Sequence, residues 1–200
     1  MKINIGKIRF SVGFPFFASA AFFFAAGMHR NYICCMIFSS LHEIGHLIPL
    51  MIMGCDINDI SLGAMGIRIG KSNCSLSYKN ECVAALCGPA VNAIFIIVFF
   101  FLKNSSDMFI LPFNINVGLF IINMLPVRML DGGRFLNYLL LSFYDEDKVN
   151  AISNFVEMLV SIELIIVLIC TLCLDIINTS FIFFVIFFIC VVVVNILAKK

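Results

Sequence analysis

The chain has 200 residues, of which 62% are hydrophobic and 12% charged, with a net charge of +1 and a mean hydropathy of +1.08. That leaves too little polar surface for a water-soluble globule of this length, and the absence of a basic cluster gives no reason to expect a nucleic-acid partner. The 23 Phe come with no Trp and only four Tyr, so few interfacial aromatic anchors are available, and the nine Cys lie mostly in apolar segments as small buried hydrophobes.

Apolar runs of spanning length fall at Phe10–Gly27, Asn31–Gly54, Cys82–Leu102, Met108–Pro126, Ala151–Leu174 and Ser180–Ala198. They predict one all-α, polytopic membrane domain over residues 1–200 with about six transmembrane helices, a core at 31–134 and additional helices at 10–27, 151–174 and 180–198. The first run follows Lys2, Lys7 and Arg9 and contains Ala18-Ser19-Ala20, as a signal peptide would. Its apolar stretch continues past that site to Gly27, which favours an uncleaved helix over a cleaved leader.

The second run contains His42-Glu43-Ile44-Gly45-His46, an HExxH pattern. Residues i and i+4 share one helical face, so both imidazoles can reach one zinc ion, and Glu43 is placed to act as general base on water activated there. The bland alternative is a pair of histidines satisfied in a polar seam between helices. Ionisable groups inside a span are costly, however, and read first as functional. Beyond Gly54, residues Ile60, Leu62, Met65, Ile67 and Ile69 alternate with small or polar ones, with Gly63, Gly66 and Gly70 between them. This predicts a short β-ribbon between the second and third spans, with a plain loop as the alternative.

The third span carries Gly88-Pro89-Ala90-Val91-Asn92, and the fourth ends in Asn123-Met124-Leu125-Pro126. An Asn amide in a span must find partners. Asn92 and Asn123 either bridge helices, worth roughly 0.6–2 kcal/mol, or hold substrate and stabilise an oxyanion near the metal. Two His alone make a poor catalytic zinc site, which usually has three protein ligands. The best third ligand is Asp131, after a break formed by Pro126 and Gly132-Gly133, where irregular backbone can line a cavity. Its structural alternative is a cap on a helix beginning near Arg134. In the fifth span, Glu157 and Glu163 do not share a helical face: either they wall a polar entrance for substrate or water, or Glu157 sits near the cytoplasmic interface and only Glu163 is buried.

With six spans and the N-terminus inside, eleven of the 13 Lys and Arg lie on one side, and only Arg30 and Lys103 on the other. The positive-inside rule then makes both termini cytoplasmic and puts His46 on the order of 10 Å inside that boundary.

Taken together, HExxH, the GPxxN at Gly88–Asn92 and the NxxP…LDG at Asn123–Gly132 closely resemble the site-2 protease family of intramembrane zinc metalloproteases. The resemblance covers roughly Ser39 to Arg134. It implies one Zn²⁺ held by His42, His46 and Asp131, Glu43 activating water, and cleavage of a membrane-anchored protein substrate near the cytoplasmic side of a lipid bilayer. It also suggests a regulatory membrane protein as a further partner, and a ribbon edge that pairs with an unwound substrate strand. The short form looks most like the stage IV sporulation protein FB type, without that branch's CBS domain, which implies a bacterial cell membrane and a role in sporulation. The chain departs from the pattern at Val127-Arg128, where many relatives carry a second Pro. Two other readings stay open: a transporter or channel using the His/Glu/Asp cluster as an ion or proton path, and a non-catalytic relative that binds membrane proteins.

Overall fold

Two glycines with positive φ set the chain's first reversals. Gly27 (φ 71°) and Gly54 (φ 81°) lie in the left-handed region that costs other residues a Cβ clash. Each closes a helix with a wrap-around bond, Met28 N–H to the Phe23 carbonyl and Cys55 N–H to the Leu50 carbonyl. The computed structural model describes residues 2–5, 8–63, 66–72 and 74–173. Its helices are α1 (Phe14–Ala25), α2 (His29–Ile52), α3 (Tyr78–Leu102), α4 (Ile110–Met124, entered through a short 3₁₀ turn), α5 (Asp131–Leu141) and α6 (Glu146–Cys173). Its strands are β1 (Lys2–Ile5), β2 (Ile8–Val12), β3 (Asp56–Gly63) and β4 (Gly66–Ser72).

Among the described residues four segments are long and apolar enough to cross a bilayer: His29–Ile52, Tyr78–Leu102, Asp107–Met124 and Glu146–Val167. The span expected at Phe10–Gly27 is not a single helix. Residues from Phe10 to Val12 belong to β2, and Gly13 with Pro15 starts a helix of only 12 residues. At 1.5 Å per residue such a helix rises about 18 Å, well short of a hydrocarbon core of roughly 30 Å. The span expected at Ser180–Ala198 lies outside the described residues.

The sheet runs in the order β1-β2-β3-β4. β3 and β4 form an antiparallel hairpin between α2 and α3, and β2 pairs parallel with β3, Arg9 opposite Asp59. The strand before α1 is thereby stitched to the strand after α2. Cys55 and Cys74 form a disulfide across the hairpin's base, so these two are not the isolated thiols that apolar surroundings suggested.

α3 is the hub of the helices and touches α2, α4 and α5. Along one half of the α2–α3 contact, Phe38 packs edge-on against Phe95 and Phe99. Along the other half, buried Ala84, Ala85 and Gly88 let the backbones approach closely, the usual way helices pack where lipid removes the hydrophobic drive. Large side chains on the outer face, among them Ile94, Ile97 and Phe101, remain exposed. That is the surface expected toward acyl chains.

Candidate metal centre

His42 and His46 lie one turn apart on α2, both buried against α3. Gly45 faces α3 beside them, where a side chain would strike Val91 and the Cys87 carbonyl. On α3, Gly88 is required by the site itself, because a Cβ there would overlap the His46 ring. The same gap lets His46 Nδ1 donate to the Ala84 carbonyl at 2.7 Å, one turn back along α3. A carbonyl only accepts, so Nδ1 carries a proton and Nε2 is the nitrogen that faces inward.

Asp131 arrives from the opposite side. α5 begins at Asp131 itself, not near Arg134, and its carboxylate does not cap that helix. Asp131 Oδ2 lies 2.9 Å from His42 Nε2 and 3.1 Å from His46 Nε2, and the two Nε2 atoms are 3.2 Å apart. Arg134 stands 3.7 Å from the other oxygen, Oδ1. Gly132 and Gly133, expected to form part of a break, instead lie inside α5, where a Cβ would collide with the carbonyls of Met124 and Val127. Their lack of side chains presses Asp131 close against the incoming loop.

The triangle of ligand atoms fits zinc. Tetrahedral bonds of about 2.0–2.1 Å place ligand atoms roughly 3.3 Å apart, and the observed edges are 2.9, 3.1 and 3.2 Å. Two imidazoles and one carboxylate, all buried, could hold a metal ion, and such a donor set matches the three protein ligands that hydrolytic zinc sites use. Glu43, half-buried, is the next residue to His42 on α2.

Asn92 lies between α2 and α4. It is fully buried, its Oδ1 meets His42 Nδ1, and its Nδ2 donates to Asn116 Oδ1 at 3.0 Å. Both ends of its amide are therefore engaged inside the protein. Asn123 is half-buried on the last turn of α4 and makes none of the hydrogen bonds to the three ligands. Asn116 escaped the sequence reading; a polar residue in the middle of an apolar run was the available signal. Glu157 and Glu163 exchange their expected burial. Glu157 is buried and accepts the Arg128 backbone N–H at 2.9 Å, whereas Glu163 is exposed.

No protein-family model matches the sequence, and no curated protein matches it. Among solved structures, the fold is similar to that of the site-2 protease from Methanocaldococcus jannaschii, with a TM-score of 0.64 and 18% identity over 94% of this chain and 91% of that one. The chain is thus an integral membrane protein with a site-2 protease fold.

Proposed function

We propose that the chain is an intramembrane zinc metalloendopeptidase that hydrolyses a peptide bond of a membrane-anchored protein near the cytoplasmic side of the bilayer. The observation that carries this reading is the convergence of His42 Nε2 and His46 Nε2, on the membrane-length helix α2, with Asp131 Oδ2 from the start of α5. The similar fold of an archaeal site-2 protease supports it. The setting we assign is regulated intramembrane proteolysis in a bacterial cell membrane, and the sporulation branch is the one the sequence motifs resemble.

His42, His46 and Asp131 would hold the ion, whose bound state polarises a carbonyl and lowers the pKa of water. Glu43 takes the proton from the attacking water and delivers it to the leaving amine, the two halves of general acid–base catalysis. Asn123, half-buried near the start of the Asp131 loop, is the candidate to donate to the substrate carbonyl. The substrate must reach this site unwound, because a helix hides its carbonyls in internal hydrogen bonds. β4 ends the sheet, and an extended segment could add to that edge through main-chain hydrogen bonds.

Two substitutions test the assignment. Glu43→Gln is expected to keep zinc and fold while lowering cleavage of a co-expressed membrane-anchored substrate by about 10²–10⁴-fold. Asp131→Ala is expected to lose zinc and activity together, while Asp107→Ala, at an exposed position before α4, changes neither. Metal analysis of the purified variants and a gel-based cleavage assay separate the outcomes. Normal turnover in the Gln variant removes Glu43 as the base, and full zinc content in the Asp131 variant removes Asp131 as a ligand.

A further inference from the structure

Helix α4 contributes a buried amide that none of the roles above uses. Asn116 is fully buried, as is Asn92, which faces it from α3. In a bilayer no water is at hand to satisfy such groups, so their bonds must close within the protein. They do so in one row. Asn116 Nδ2 donates to the Pro112 carbonyl at 2.8 Å, and Asn92 Nδ2 donates to Asn116 Oδ1 at 3.0 Å. Asn92 Oδ1 then meets His42 Nδ1.

The direction of this row is fixed at its far end. A carbonyl can only accept, so Asn116 must turn its NH₂ to Pro112 and its oxygen to Asn92. Asn92 must then turn its own NH₂ to Asn116, which leaves oxygen for His42. An oxygen there requires a proton on His42 Nδ1, which leaves Nε2 as the nitrogen available to a metal, facing Asp131 Oδ2 and His46 Nε2. His46 reaches the same state in one step through the Ala84 carbonyl. His42 reaches it in three.

We propose that Asn116 is a positioning residue which, through Asn92, fixes the tautomer in which His42 offers Nε2 to the metal. The inference rests on the zinc-site reading above. Partners that orient a ligating His typically govern metal affinity by about 10–100-fold, and here the control lies two residues removed from the ion.

The test uses the full-length protein in detergent micelles. Zinc affinity is measured by competition with a chromogenic chelator for the parent, Asn116→Leu, Asn116→Asp, Asn92→Leu and Asn114→Ala, the last an exposed position on the same helix. Asn116→Leu is expected to weaken zinc binding by about 10–100-fold and Asn92→Leu at least as much. Asn116→Asp keeps the acceptor toward Asn92 and is expected to lose less, and Asn114→Ala is expected to match the parent. A Leu variant that binds zinc like the parent overturns the proposal, as does an Asp variant no better than Leu. A second measurement needs no substitution. In the metal-free parent, ¹⁵N-histidine spectra should show His42 protonated at Nδ1, whether or not Nε2 also carries a proton toward Asp131, and a ring protonated at Nε2 alone would overturn the proposal even if every variant unfolds. Failure of the zinc-site reading looks different: the parent, or its His42→Ala form, then gives no zinc binding that depends on His42, whatever the tautomer.

Discussion

At Gly88 the site needs the absence of a side chain. A single methyl there would occupy the space of the His46 ring, whose Nδ1–H is anchored to Ala84 on the same helix. Gly88→Ala should therefore weaken zinc binding by about tenfold or more, the scale of losing a ligand-orienting contact. Secondary structure should survive, since Ala favours the helix over Gly by about 1 kcal/mol. Chelator competition alongside circular dichroism checks this, and unchanged affinity would mean that the ring has room to move. The ease of reading each site residue from sequence followed the range of its contacts. His42, Glu43 and His46 declare themselves through a spacing of one helical turn. Asp131 required matching depths across two segments, which an apolar pattern with a Pro/Gly break allowed. Asn92 was visible as a polar residue in a span, but its direction was not: it turns to a ligand because Asn116, 24 positions away, holds its other end. Gly132-Gly133 looked like a break because glycine weakens helices in isolation, whereas here it serves close approach inside one.

Among the elements, α6 acts as a brace for the loop that delivers Asp131. Val127, fully buried, packs with Val160 and is flanked by Leu125, Leu130, Val156 and Leu164. Glu157 accepts the Arg128 backbone N–H, while the Arg128 guanidinium donates from Nη2 to the Asn150 carbonyl at 2.9 Å and to Asn154 Oδ1 at 3.0 Å. A Pro at position 128 would have no N–H to offer Glu157, so Arg128 and Glu157 work as a pair at this point of the loop. Glu157→Ala leaves that N–H without its acceptor, a loss of about 1–3 kcal/mol, and should speed zinc release by loosening Asp131. Arg128→Ala keeps the backbone bond and should have the smaller effect on both. Thermal melting and stopped-flow chelation measure the two, and equal effects would assign the brace to the guanidinium instead. This arrangement was hidden in the sequence because periodicity tells which faces of α6 differ, not which neighbour covers one of them. The same limit applied at the N-terminus. Phe10–Gly27 is apolar throughout, and only the pairing of β2 with β3 shows that its beginning is strand.

On the scale of the whole molecule, two features pull in opposite directions. On the six-span reading of the sequence, eleven of 13 Lys and Arg fall on the side that holds the α2–α3 connection, which the positive-inside rule would make cytoplasmic. Yet that connection carries the Cys55–Cys74 disulfide, and such bonds are rare in a reducing cytosol. Charge bias acts during insertion, before the hairpin folds, so the prediction follows the charge. In the cell, Cys55 and Cys74 are therefore expected to be free thiols held within bonding reach, and the bond is expected to close when the protein meets oxidant. Closing the loop between residues 19 apart in sequence should raise hairpin stability by roughly 3 kcal/mol on the chain-entropy account, so reductant should lower the melting temperature of the oxidised protein and leave a Cys55→Ser/Cys74→Ser form unmoved. Cells quenched in acid and then treated with a heavy maleimide give the deciding observation. A mobility shift that a Cys55→Ser/Cys74→Ser form lacks is the expected result, with both thiols reduced before lysis. If the pair is already oxidised in intact cells, the loop faces an oxidising compartment, the orientation is inverted, and the cut in a substrate moves to the external half of its span.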